Sequence, residues 1–341
     1  MTARVNAKIA KVIHATSATP SSETGGDHTI QPERAIAAWE RARALDPSSA
    51  VVHRNLGLAY ARVRNDLPAA VGALEKAVAA NPMDARYYYE LDQLYEAAGV
   101  NPRKRLAVLE KRHPIIAGND NALAREVGLL LLADRARRAL EILGTHHFHV
   151  WEGGGEVHGL WVEANLAEGR AALDKKAFRK ALGTFEKALS YPANLDVGPP
   201  SSGPGSPKIF YHLGEVHSAL GNASEAAANF EKAARSRGGL SEQAYYAATA
   251  LARLGRKEEA AARYGELVRQ AREALAAAPS MDFFEKFGER QSARVRRANL
   301  HFLAGLGLLG QGKSAEAAAE FAEAVSTDPG HLEAGRFLKR R

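Results

Sequence analysis

The side chains best suited to chemistry crowd into residues 145–161, which hold His146, His147, His149, Glu152, Glu156 and His158 together with two tryptophans, Trp151 and Trp161. Neutral imidazole nitrogens ligate zinc, and a carboxylate can complete the set. The spacing departs from the helical His-Glu-x-x-His signature, and Gly153–Gly154–Gly155 would leave such ligands on a pliable segment. No metal is therefore expected. A second chemistry is sugar recognition, in which an indole face receives the ring while His and Glu meet its hydroxyls. On that reading the contacts are His146, His147, His149, Trp151, Glu152, His158 and Trp161. A third reading is structural: Phe148 and Trp151 pack on the body of the protein, and the histidines bond backbone carbonyls.

Other reaction types find no footing. Hydrolysis by paired carboxylates needs two convergent acids, and Glu152 and Glu156 lie on a glycine-rich stretch with nothing to fix them. Gly153–Gly155 follows Trp-Glu and does not lead into Lys-Ser/Thr, so it is not a phosphate loop. No dinucleotide fingerprint or Ser-His-Asp order is present. No catalytic residue and no cofactor is assigned, and the isolated chain is expected to be non-enzymatic. Cysteine is absent, which excludes disulfides and thiolate zinc sites.

Charge narrows the partners. The 46 basic and 39 acidic residues leave a formal +7. Arginines alternate with glutamates at helical spacing, as in Glu258, Glu259 and Arg263 or Glu266 and Arg269, which describes solvated helix faces. Nucleic acid is not expected without a basic stripe interleaved with aromatics. A membrane is not expected either, since no apolar run approaches the roughly 18–20 residues a span requires. Residues 1–30 lack the apolar middle of a signal peptide and read as a disordered or partly helical stub. The expected location is the cytoplasm.

The elements that must carry these side chains follow from a repeat. Ala226, Phe230 and Ala233 recur as Ala260, Tyr264 and Leu267, and as Ala181, Phe185 and Ala188. The pattern appears again as Ala317, Phe321, Ala324 and Pro329, and as Ala35, Trp39, Ala42 and Pro47. A period of about 34 residues marks stacked helix pairs, each burying its neighbour's apolar face. The clearest unit places Leu56, Gly57 and Tyr60 on a first helix and Ala70, Leu74 and Ala77 on a second, which Pro82 ends. Gly57 makes room for the crossing helix, and Tyr60 fills the wedge between the two.

This pattern resembles the tetratricopeptide repeat, in which Trp, Leu, Gly, Tyr, Ala, Phe, Ala and Pro hold fixed positions. The resemblance implies an all-α, right-handed superhelical solenoid of helix hairpins with irregular loop insertions. The organisation read from it is a stub at 1–30, repeats at 31–143, a His/Trp-rich loop at 144–160, and repeats at 161–338 interrupted by a loop at 191–207. A basic tail at 339–341 closes the chain. A further insertion, residues 278–291, carries Phe283, Phe284 and Phe287, expected to cover an edge of the solenoid. The helix before it is expected to overrun a normal unit, continuing through 269–278. The first unit shows only its second helix, so the chain is expected to be a piece of something longer, or residues 3–15 supply the missing member. His331–Arg341 reads as a capping helix.

Such repeats bind protein or peptide along a groove lined by the first helix of each pair. By phase, the groove residues are Arg54, Asn55, Tyr89, Arg170, Tyr211, His212, Glu215, Tyr245 and Tyr246. Some members clamp a C-terminal carboxylate with Lys and Asn. Here Arg54 and Leu58 stand at those positions, so that clamp is not expected. A narrower resemblance lies in His147–Gly153, His158, Ala181, Phe185, Ala188 and Tyr191–Leu195. These residues are similar to the C-terminal part of large bacterial tetratricopeptide proteins whose N-terminal part is a mutarotase-like β-sandwich. That resemblance implies a carbohydrate link and a site at 145–161 shared with a β-sandwich domain, which this sequence does not contain.

Overall fold

A computed structural model describes residues 30–149, 155–200, 206–236, 239–277 and 293–339. Among these residues every regular element is helical. They form two compact units. Unit 1 runs to Val100 and resumes over Lys104–Glu126, while unit 2 holds Asn101–Arg103 and everything from Val127.

In unit 1, α1 (Ile30–Leu45) leads into the hairpin α2 (Ala50–Ala59) and α3 (Leu67–Ala80), with a π-helical turn at Tyr60–Arg64 between them. Next come α4 (Ala85–Ala97), α5 (Pro102–Glu110), the short α6 (His113–Ile116) and α7 (Asp120–Leu132), whose end passes into unit 2. Leu56, Tyr60, Ala70, Leu74, Ala77, Leu91 and Tyr95 share one core, as their repeat positions require. Beside it Asp92 accepts from Arg105 Nε and Nη2 at 2.8 and 2.9 Å and from Arg125 Nε at 2.6 Å.

Unit 2 continues with α8 (Ala136–Thr145), then α9 (Gly155–Asp174) and α10 (Phe178–Lys187), α11 (Pro207–Ala219) and α12 (Ala223–Ala234). The last elements are α13 (Glu242–Arg253) and α14 (Lys257–Ala276), α15 (Ala293–Gly310) and α16 (Ser314–Thr327), and finally α17 (Leu332–Lys339). Each hairpin of unit 2 turns on one residue with positive φ: Asp134, Lys176, Gly221, Gly255 and Gly312. That conformation ends the first helix and turns the chain back, which glycine does without steric cost. Within the hairpins α9–α10 and α11–α12, Gly169 and Gly214 lie under the rings of Phe185 and Phe230. A Cβ at either glycine would come within 2.5 Å of ring carbons. The aromatic of each second helix therefore fills the space left by the glycine of the first.

Three boundaries differ from the sequence reading. The loop expected over 144–160 ends sooner, because α9 begins at Gly155. Val157 is buried, and Leu160, Trp161 and Ala164 follow at helical spacing, so packing carries the helix back into the glycine run. The division between units falls between Glu126 and Val127 rather than at that insertion. Asn194 explains part of this: its Nδ2 donates to the carbonyls of Leu143 and His146 at 2.8 and 2.7 Å, tying the insertion into unit 2. The overrun expected of the helix over 269–278 stops at Ala276. The insertion at 278–291 with its three phenylalanines lies outside the described residues.

Candidate functional site

The histidine-rich segment is built into the body of unit 2. Phe148 is buried, with the His146 ring edge-on to it at 4.6 Å, and its N–H donates to the Asn194 carbonyl at 2.8 Å. His147 and His149 lie tilted together at 4.8 Å. His158 stacks on Tyr191, with ring centroids 3.9 Å apart, and its Nε2–H donates to the Ser190 carbonyl at 3.1 Å. Trp161 Nε1–H donates to the Lys187 carbonyl at 3.0 Å. The polar tips of His158 and Trp161 are thus held by backbone carbonyls. Trp151 and Glu152 lie outside the described residues. Among the described residues, no three His, Asp or Glu side chains are grouped to hold a metal ion.

The predicted groove residues separate by unit. In unit 1, Arg54 on α2 is bound to Glu90 on α4 through two hydrogen bonds, one of 2.7 Å, and its Nη1 donates to Asn55 Oδ1 at 3.3 Å. Tyr89 accepts from Gln93 at 2.9 Å. In unit 2 the other six, Arg170, Tyr211, His212, Glu215, Tyr245 and Tyr246, line one cavity of about 890 Å³. They stand on α9, α11 and α13, the first helices of three successive hairpins. The start of α8, with Arg137, Arg138 and Glu141, forms another wall, and α17 closes the space with Glu333, Arg336, Phe337 and Lys339.

An aromatic row continues along these helices. His212 stacks on Phe185 at 5.3 Å, Tyr211 tilts against Tyr246 at 5.6 Å, and Tyr245 meets Phe337 edge-on at 6.3 Å. Burial holds the Tyr211 and Tyr246 hydroxyls above the usual phenol range, so both remain neutral donors at physiological pH.

Beneath the row sits an ionic cluster that sequence reasoning missed. Lys208, only 1% exposed, meets Glu163 at 2.6 Å, Glu242 at 3.2 Å and Glu333 at 3.7 Å. Burial alone would pull its pKa down, but Glu163, Glu333 and Glu242 outweigh that and hold it above the ordinary lysine value. Glu333 is half-buried, and the loss of water favours its neutral form, yet Lys208, Arg170 and Arg336 push its pKa well below the usual range. Glu242 shifts the other way: burial raises it against the pull of Lys208, and Glu163 and Glu333 add to the rise. Arg170, 7% exposed, approaches Glu333 at 3.7 Å, and its buried Nη2 has no hydrogen-bond acceptor. Lys208 follows Pro207 at a helix start, where a lysine reads as solvated. Its carboxylate partners come from α9, α13 and α17, distant in the chain, and no local signal announces that.

The tetratricopeptide repeat family matches residues 31–85 and 166–241, one segment in each unit. Among solved structures the chain is similar to a tetratricopeptide repeat protein from Parabacteroides merdae, at 14% identity over 98% of this chain and 96% of that one, with a TM-score of 0.39. It is similar to the Cut9–Hcn1 hetero-tetramer of the APC/C at 13% identity, covering 98% and 55%, with a TM-score of 0.37. The human IFIT1 dimer with PPP-AAAA matches at 14% identity, covering 88% and 69%, with a TM-score of 0.34.

Proposed function

We propose that this chain, with tetratricopeptide repeats in both units, is a non-enzymatic interaction module that holds a protein segment in the cavity of unit 2. The observation that carries the reading is the convergence of Arg170, Tyr211, His212, Glu215, Tyr245 and Tyr246 on one space of about 890 Å³. Helices fix the backbones of these residues, so the side chains offer aromatic faces and polar tips at little entropic cost. The buried Arg170 Nη2 supplies a donor that lacks an acceptor, and such a group favours a ligand carbonyl or carboxylate.

The test is a screen of linear peptides against the full chain. Peptides that use this cavity are expected to lose at least about tenfold in affinity on Tyr211→Ala, the usual behaviour of a central aromatic contact. If every selected peptide binds the variant as it binds the parent, while circular dichroism shows the fold unchanged, the cavity is not the binding site.

A further inference from the structure

We infer that α17 is a built-in occupant of the unit 2 groove. The surface beneath it accepts a partner helix with a carboxylate, an arginine three residues later and an aromatic four residues later. This rests on the groove reading above and names the class of partner.

A helix that only capped the array would touch its sequence neighbours. One side of α17 does this: Ala334 is fully buried, and Phe337 stacks on Phe321 of α16 at 5.1 Å and lies 6.0 Å from Phe302 of α15. Its polar side does something else. Glu333 faces Lys208 and Arg170, Arg336 reaches Glu163 at 3.5 Å, and Lys339 reaches Asp134 at 2.5 Å. These partners lie on α9, α11 and the α7–α8 turn, far back in the chain. Glu333, Arg336 and Phe337 share one helix face by spacing. The groove answers each: cations for Glu333, Glu163 for Arg336, and Tyr245 for Phe337.

Two features suit this contact to exchange. Without α17 the groove keeps Lys208 and Arg170 opposite Glu163 and Glu242, so departure of the helix strands no net charge. And Glu333 stands 3.7 Å from both cations, beyond hydrogen-bond length, so a partner carboxylate has room to bind more closely. The tether gives α17 an effective concentration in the millimolar range, which an incoming helix must overcome.

The experiment uses the full chain and a fluorescein-labelled peptide of residues 328–341. Phe337→Ala loosens the resident helix. The peptide is expected to bind this variant at least about tenfold more tightly than the parent, because its tethered competitor is weakened. A peptide carrying Glu333→Lys is expected to lose that binding. Should Phe337→Ala fail to fold, Lys339→Glu alters only an exposed pair and is expected to shift affinity in the same direction. The proposal is overturned if amide exchange shows α17 released while the peptide binds no better than to the parent, or if the charge-reversed peptide binds equally well. Either result leaves the Tyr211 test untouched, since that test alters nothing on α17.

Discussion

Replacing Gly214 by alanine should destabilise unit 2, although alanine is the better helix former. The added Cβ would stand 2.5, 2.6 and 2.8 Å from three carbons of the Phe230 ring. Carbon atoms rest at about 3.5–4.0 Å, so the ring must retreat by about 1 Å. Phe230 is 5% exposed and packed beside Tyr211, which leaves it nowhere to go. Overpacking of this kind costs about 1–3 kcal/mol. Against it stands a gain of about 0.8–1 kcal/mol for alanine over glycine inside a helix. The net is a loss of about 0–2 kcal/mol. At Gly183, within α10, an added methyl group would find nothing within 4 Å, so Gly183→Ala keeps the gain and lacks the penalty. The two substitutions should therefore move the urea midpoint in opposite directions, or at least differ by about 1–3 kcal/mol at equal m-value. In a Phe230→Leu background the difference should shrink, because the three atoms nearest the added Cβ at Gly214 all belong to that ring. If Gly214→Ala and Gly183→Ala raise the midpoint alike, the glycine–aromatic contact is not what sets the approach of the paired helices.

Two further outcomes are expected. Asp92→Asn should cost unit 1 about 3–5 kcal/mol in a urea melt, since it leaves the buried Arg105 without its main counter-charge. Burial favours the neutral Asp92 carboxyl, but hydrogen bonding and charge from Arg105 and Arg125 outweigh it and hold the pKa below the usual value. Its stabilising share is therefore complete above about pH 4 and lost as pH falls through the lower folded value, so Asp92→Asn should flatten the acid limb of the melt. Asn194→Ala should remove the two bonds to Leu143 and His146, costing about 1–3 kcal/mol and lowering exchange protection of the Phe148 amide. Unchanged protection would mean that the segment holds itself without Asn194.

Most of the architecture could be read from residue order because each repeat is specified locally. Gly57, Tyr60, Ala70 and Leu74 meet within one hairpin, so their spacing alone identifies the pair. The extra length of the helix over Lys257–Ala276 was likewise visible, since its helical pattern continues without a breaker. The start of α9 was not, because Gly153–Gly155 carries a loop signal that only the packing of Val157 overrides. The lining of the unit 2 cavity was legible in part. Arg170, Tyr211 and Tyr245 followed from the phase of the first helices, whereas Lys208, Glu163, Glu333 and Arg336 are united by a contact between distant segments. Periodicity reports which face a residue occupies, not which far-off helix comes to lie against that face.

The reach of α17 back to Asp134, Glu163 and Lys208 changes how unit 2 should come apart. An open row of repeats frays from its ends, because each terminal pair is held by one neighbour only. Here the last helix clasps the earliest pairs of its own unit, so peeling either end first requires undoing the same clasp. Release of α17 should then come before fraying at either end, and loosening it should speed amide exchange in the first and last hairpins of the unit together.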